Sequence, residues 1–376
     1  MKRFIAILAL LSLLCARAER GTPVIIDDSP LRSATIRCAG DFVIHDNLLD
    51  AARYLGKQEG ASSTYEFAPM LSEVSLYLAD ADFTVTNVDG VMGGDEFYKK
   101  YGYSGYPAFS TPASLLTAIK GCGVDLLSLA NNHALDYWYS GLKATIDSVD
   151  KAGLLHVGAY RTQEERSTPC IVDINGIKVG FFNYTDSLNM MDKRSALDPD
   201  ALKFGVCFTE YATLEQDIKN LREGGAEVIV CIMHWGIEYR TTPCQSQINK
   251  AEKLAALGVD VIIGGHPHMV QKATYVGDTL CIYSLGNFLS DQRTEGRDCG
   301  IIYTFTLQEK PTGGFYVSST DYATTWVWRK STSHGYEYKV LLSEDYLNSK
   351  PAGMSDADYK RMCASVSEIH AIMQAE

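Results

Sequence analysis

Read for apolar and polar positions, the chain repeats one unit from Ser33 onward: a short apolar run, a polar cluster, then a helix-like segment. The apolar runs fall at residues 35–39, 83–87, 125–130, 177–183, 228–233, 259–263, 280–284 and 301–307. They are short and rich in Val, Ile and Leu, as strands covered on both faces are. Helix signals sit between them. Thr111 before Pro112 suits a capped start with proline at the first helical position; residues 114–120 continue it and Gly121 can stop it. The segments 141–152, 211–222 and 245–257 each run into a glycine stop, and Leu214, Ile218 and Leu221 share one helix face. Two stretches resemble each other: Gly123 to Leu129 leading into Asn131-Asn132-His133, and Gly258 to Ile263 leading into His266-Pro267-His268. Both read as helix, glycine stop, buried strand, then histidine. This alternation predicts an α/β sheet fold. Residues 311–376 change character, with an aromatic, β-rich stretch at 315–328 and a helical one at 356–375. The expected organisation is a main domain over 33–310 with C-terminal β/α additions at 311–376 packed on it.

The first residues follow a different pattern. Lys2 and Arg3 precede an apolar run over residues 4–14, and Ala16-Arg17-Ala18 is a small-x-small cleavage sequence. This is an export signal over 1–18, followed by an extended lead-in over 19–32. The run is short for crossing a bilayer. A retained anchor or a lipid-modified Cys15 are the alternatives to cleavage. The expected location is outside the cytoplasm, extracellular or attached to the cell surface.

Composition adds three constraints. The 376 residues have a globular apolar content, enough for a large core. A formal charge of −12 with no basic stripe argues against nucleic acid as a partner. The ten cysteines include no C-x-x-C pair, which argues against a zinc ribbon, and Cys38, Cys231 and Cys281 fall in apolar runs as core residues. Exported chains can pair cysteines, but the connectivity stays open.

The chemistry gathers where the strands end. Five of the eight histidines (His45, His133, His234, His266 and His268) follow apolar runs directly. In α/β sheets, ligands and catalytic groups collect outside the carboxyl ends of strands. Asp41 and His45 form a pair suited to one divalent cation. Asp89, in Asn87-Val88-Asp89-Gly90, could bridge two. Asn132 could offer an amide oxygen to a metal while His133 stays free to donate a proton, with Asp136 holding its tautomer. His266 and His268, one residue apart on a glycine-rich loop, can reach two neighbouring metals. Asn131, Glu238, Asn287 and Asp291 are candidates for contacts to substrate or to the ligands. The set Asp41, His45, Asp89, Asn132, His234, His266 and His268 mixes oxygen and nitrogen, which suits two cations such as manganese, iron or zinc.

The ordered motifs G-D-x-x-x-H, N-x-D, N-N-H-x-x-D, H-W-G-x-E-Y, G-H-P-H and S-L-G-N-F resemble the CapA-type, poly-gamma-glutamate capsule synthesis family of the calcineurin-like metallophosphatase superfamily. The match spans about residues 34 to 305. The resemblance implies a four-layer α-β-β-α sandwich with a dinuclear site at its edge. It implies that Asp41, His45 and His268 hold one metal, that Asn132, His234 and His266 hold the other, that Asp89 bridges, and that His133 is the acid for the leaving group. Three features depart from the wider pattern. Superfamily phosphatases usually have D-x-H in the first motif, whereas Asp41 and His45 are spaced as in the capsule branch. That branch commonly has Glu at the position of Asp89, so a shorter bridge could weaken one site. Trp138 stands where a small residue is usual and is expected to narrow the entrance.

Two functions follow from this. One is a metal-dependent hydrolase at the cell surface, acting on a phosphoester or on a capsule or wall polymer. The other is a non-enzymatic, metal-binding partner within a membrane complex for polymer synthesis and export. The free His133 favours the enzyme, because a structural metal needs no adjacent acid.

Overall fold

The structure, a computed structural model, describes residues 30–375 apart from Glu59 and Glu210. The expected signal and most of the lead-in lie outside the described residues. Residues from Leu31 onward form one compact unit. No helix among the described residues is long and apolar enough to cross a membrane.

Among the described residues, fourteen strands form two sheets. In chain order they are β1 (Ser33–Val43), β2 (Phe83–Val88), β3 (Leu126–Ser128), β4 (Leu155–Val157), β5 (Cys170–Ile174), β6 (Ile177–Thr185) and β7 (Val228–His234). They continue with β8 (Val261–Gly265), β9 (Val270–Val276), β10 (Thr279–Leu285), β11 (Asn287–Ser290), β12 (Cys299–Glu309), β13 (Phe315–Thr332) and β14 (Gly335–Leu342). The first sheet runs β14-β13-β12-β1-β2-β3-β4, with β11 also paired to β1; the second runs β5-β6-β7-β8-β10-β9. The centre of each sheet is parallel: β1 through β4 in one, and β6, β7, β8 and β10 in the other.

Both faces of the central strands are apolar, and the period of two sorts them into two cores. Along β7, Val228, Val230 and Ile232 join Ile36, Val85 and Leu126 between the sheets. Ile229, Cys231 and Met233 face outward toward Leu214, Ile218 and Leu254 of the helices Tyr211–Glu223 and Gln245–Ala256. Phe42, Val88 and Leu127 of the first sheet face Leu48, Leu116 and Ile146 on the helices Asp46–Leu55, Ser114–Gly121 and Trp138–Lys151. The layers are therefore helix, sheet, sheet, helix.

Residues 311–376 extend this body. β13 pairs antiparallel with β12, and β14 with β13. The helix Asp356–Met373 packs against β9 and β13. Its Arg361 pairs with buried Asp298 at 2.9 Å, and Asp298 accepts the indole N–H of buried Trp326 at 3.0 Å.

The structure adds elements that the apolar pattern does not mark. β4, β5, β9 and β11 are short or partly exposed and lack a continuous Val/Ile/Leu run. The helix Asp46–Leu55 begins directly after His45, which is its N-cap residue. β3 ends at Ser128, two residues short of the apolar run, because the chain turns there toward Asn131 and Asn132. None of the nine cysteines among the described residues is in a disulfide, and Cys38, Cys231 and Cys281 are fully buried.

Candidate metal centre

Register lines up the site before any side chain is considered. Across the first sheet Asp41 pairs with Asn87, and Asn87 with Ser128. Across the second, Thr185 pairs with His234, and His234 with Gly265. Both rows lie at the carboxyl ends of parallel strands. Irregular register on either side of Asp41 re-aims that residue, as bulges do.

Asn87 organises the carboxylates. Its side-chain N–H group donates to Asp41 Oδ1 at 2.9 Å and to Asp89 Oδ1 at 2.8 Å. Its oxygen accepts from Ser128 at 3.2 Å and from Asn131 at 3.4 Å. The loop after β8 brings the histidines in. His266 and His268 both have left-handed backbones, with φ of 93° and 56°. Such conformations are rare outside glycine and persist where the surroundings impose them. The His266 amide donates to Asp41 Oδ2 at 3.1 Å. A Cβ on Gly265 would stand 2.8 Å from Asp41 Oδ1, so the close approach requires glycine.

Two groups of ligand atoms result. Asp41, Asp89 and His268 offer atoms all within 4.8 Å of one another. Separately, His234 Nε2 lies 2.9 Å from Asn132 Oδ1 and 3.1 Å from His266 Nδ1. Asp89 touches both groups, since its Oδ1 is 3.9 Å from His234 Nε2. Its short side chain thus reaches both sides. Asp89 Oδ2 is buried without a hydrogen-bond partner. An orphaned carboxylate oxygen there suits a cation.

His45 stands off from these groups. Its Nδ1 lies 3.0 Å from the Val43 carbonyl, with the Asp291 amide at 3.4 Å, and its ring lines the same open cleft as His268. A proton on Nδ1 leaves the Nε2 lone pair free. Asn287 Oδ1 lies 3.0 Å from His268 Nδ1 and fixes that ring in the same sense. Asn131 donates to the Val88 carbonyl at 2.8 Å and accepts the His133 amide at 3.1 Å, bracing the loop. Asp291 binds Arg329 at 3.0 Å and Asn47 at 2.7 Å, away from the ligand groups. Glu238 lines the cleft, and its charge acts on Asp89, His133 and His266.

His133 sits beside the ligands but is held differently. Its Nδ1 is 2.8 Å from Asp136 Oδ2, and the Phe109 amide donates to the same oxygen at 2.8 Å. The Phe109 ring is wedged edge-on between the imidazoles of His133 and His45, at 4.7 and 5.5 Å. Trp138, expected to narrow the entrance, is part-exposed with Arg194 above its ring; Arg194 lines the cleft of about 450 Å³ and Trp138 does not.

The electrostatics sort the residues in the same way. Burial, then the charge of Asp89, pushes Asp41 up to about 8, and burial pushes Asp89 up as well. Burial pushes His234, His266, His268 and His45 down; for His234 and His268 the neighbouring imidazoles add to it. A cation reverses the carboxylate shifts and uses neutral imidazoles directly, so both classes are poised for one. His133 goes the other way. Burial opposes its charge, but the hydrogen bond and charge of Asp136 outweigh that and raise it.

Asn87, Phe109 and Asn189, which also lines the cleft, are parts of this site that the motifs did not single out in those roles, whereas the close approach at Gly265 was legible in the glycine-rich loop. Asn87 lay inside a recognised motif, two residues before Asp89. Phe109 and Asn189 carry no sequence signal, because only the fold brings their loops to the cleft.

Two face-to-face sheets with helices outside both form a fold of metallophosphatase type, with a buried carboxylate–histidine cluster at the shared carboxyl edge. The chain belongs to the bacterial capsule synthesis protein family PGA_cap, whose model matches residues 35–292. It is similar to the capsule biosynthesis protein CapA of Bacillus anthracis, 29% identical over 234 residues covering 61% of this chain and 56% of that protein. It is also similar to the PGA biosynthesis protein CapA of Bacillus subtilis, 28% identical over 276 residues covering 72% and 68%. The chain thus spans little more than half the length of the first relative. Among solved structures, the calcineurin-like phosphoesterase YfkN of Bacillus subtilis covers 91% of this chain and 98% of its own at 17% identity, with a TM-score of 0.48.

Proposed function

We propose that this chain is an exported, metal-dependent hydrolase of the CapA type, acting on a phosphoester or on a capsule or wall polymer. The observation that carries the reading is the sharing of Asp89 between two ligand groups, with the His133–Asp136 pair beside them. In this reading Asp41, His268 and, through its free Nε2, the more distant His45 would hold one divalent cation, and Asn132, His234 and His266 would hold the other, with Asp89 shared by the two groups; manganese, iron and zinc all fit the donor set. When bound, two such ions supply Lewis-acid polarisation and a more acidic water.

The chain's own residues do the rest. Asp136 accepts from His133 Nδ1, so Nε2 is the nitrogen left to carry a proton to a leaving oxygen. The Phe109 amide keeps Asp136 in place. Arg194 and Glu238 set opposite charges on the walls of the cleft and select which charged groups can be seated there.

The names of the relatives speak of biosynthesis, and this favours the second reading: a metal-binding member of a membrane complex for polymer synthesis and export. A screen of the purified, manganese-loaded chain against phosphoesters and gamma-glutamyl polymers separates the two. Chelator-sensitive turnover supports the enzyme. No turnover, with two cations bound and polymer output lost in a deletion strain, supports the partner. Export rests on Lys2, Arg3, the apolar run and Ala16-Arg17-Ala18; the native protein is expected to begin near Glu19 and to be absent from the cytosolic fraction.

A further inference from the structure

A side-chain amide can bind a cation only through its oxygen, because the nitrogen has no free lone pair. The two ends of Asn132 are almost the same shape, so something must decide which one faces the ligand group. The partner on the other end is Asn189: Asn132 Nδ2 donates to Asn189 Oδ1 at 3.2 Å, and this turns Asn132 Oδ1 toward His234 Nε2, 2.9 Å away. The Asn189 amide nitrogen then lies 3.5 Å from both ring nitrogens of His133.

Asn189 is held there by an unusual backbone. It and Met190 are consecutive left-handed residues, with φ of 49° and 64°, and neither is glycine. Leu188 and Met191 on either side are buried and pin the segment. Below it, Lys250 and Thr209 both donate to Asp186. Met190 itself is 68% exposed, so its own packing does not account for the turn. Strain of this kind, imposed from both flanks, is a feature of functional loops. Its effect is to hold one amide over Asn132 and His133.

We infer that Asn189 is a positioning residue that fixes the metal-binding orientation of the Asn132 amide, an inference resting on the reading that Asn132 holds a cation. Loss of a partner of this kind typically weakens metal affinity about 10–100-fold. The test is calorimetric titration of the chelator-stripped full chain with manganese alone. Asn189→Gly removes the side chain while suiting the left-handed backbone. It is expected to weaken one of two binding events about 10–100-fold and to leave the other, and the metal-free melting temperature, near the parent. Asn189→Asp keeps an acceptor oxygen in a residue that tolerates this backbone, and is expected to bind both cations as the parent does or more tightly. Asn132→Ala should lose the same event, and adding Asn189→Gly to it should cause no further loss. If Asn132→Ala binds both cations like the parent, the ligand reading itself fails. If Asn132→Ala loses one event while Asn189→Gly keeps both, or if Asn189→Asp is as weak as Asn189→Gly, the positioning role is overturned and the metal site stands.

Discussion

At the residue scale, the site separates groups that want to be neutral from one that wants its proton. His234, His266 and His268 are driven toward the neutral form by burial, while His133 is driven toward the charged form by Asp136. Sequence adjacency hides this: Asn132 and His133 are neighbours, yet one faces a ligand group and the other a carboxylate. General acid catalysis typically contributes about 10²–10⁴-fold. His133→Asn is therefore expected to slow turnover of any identified substrate by about that factor, with metal content by elemental analysis unchanged. If the variant keeps its cations and turns over substrate at the parent rate, His133 is not the acid.

At the scale of elements, the site depends on the two sheets meeting in register, and Asn183 ties them directly behind it. This residue of β6 is 1% exposed. Its oxygen accepts the Ala130 amide, just beyond β3 in the other sheet, at 2.7 Å. Its nitrogen donates to the Ile232 carbonyl of β7 at 3.1 Å. Removing the side chain leaves the buried Ala130 N–H without its partner, at about 1–3 kcal/mol when orphaned, and takes a side-chain bond from the Ile232 carbonyl. Asn183→Ala is expected to destabilise the fold by about 2–4 kcal/mol in urea unfolding. A loss below about 0.5 kcal/mol would mean that water takes over both bonds and that the sheets are held by apolar packing alone.

At the scale of the whole molecule, the metal-free cluster is a stability term with a definite pH dependence. Asp41 and Asp89 have folded-state values above their unfolded ones, so their ionisation favours unfolding as pH rises from about 4 toward 8. The ligand histidines are depressed, so their protonation favours unfolding as pH falls below about 6.5. Between those limits the two trends oppose each other; above about 6.5 the carboxylates still act, and His133, raised by Asp136, loses its stabilising proton in the same direction. The chelated protein is therefore expected to melt at progressively lower temperature from about pH 6.5 to pH 8. Manganese should reduce that fall, because it stabilises the ionised carboxylates, and should raise the melting temperature overall. Identical melting curves across this range with and without manganese would count against the cluster as a cation site.

How much of this was legible in the sequence follows from how each feature is encoded. The central strands could be read because burial on both faces demands continuous Val, Ile and Leu, as in residues 228–233, and the α/β order could be read because glycine stops such as Gly258 separate helix from strand. Asp41, Asp89, Asn132, His234, His266 and His268 could be singled out because they directly follow such strands, and parallel sheets bring strand ends together. The edge strands β5 and β9 could not be read, since half-exposed strands carry no strong apolar signature. Nor could the standing-off of His45, the wedge of Phe109, the amide of Asn189 or the bond from Asn183 to the opposite sheet. Each depends on contacts between segments far apart in the chain, 53 residues for Asn183 and Ala130 and 57 for Asn189 and Asn132. Local sequence fixes the period of an element and the residues at its end. Which loop closes over which end is decided only when the sheets pack, because that packing, and no local preference, holds two distant groups within hydrogen-bond reach.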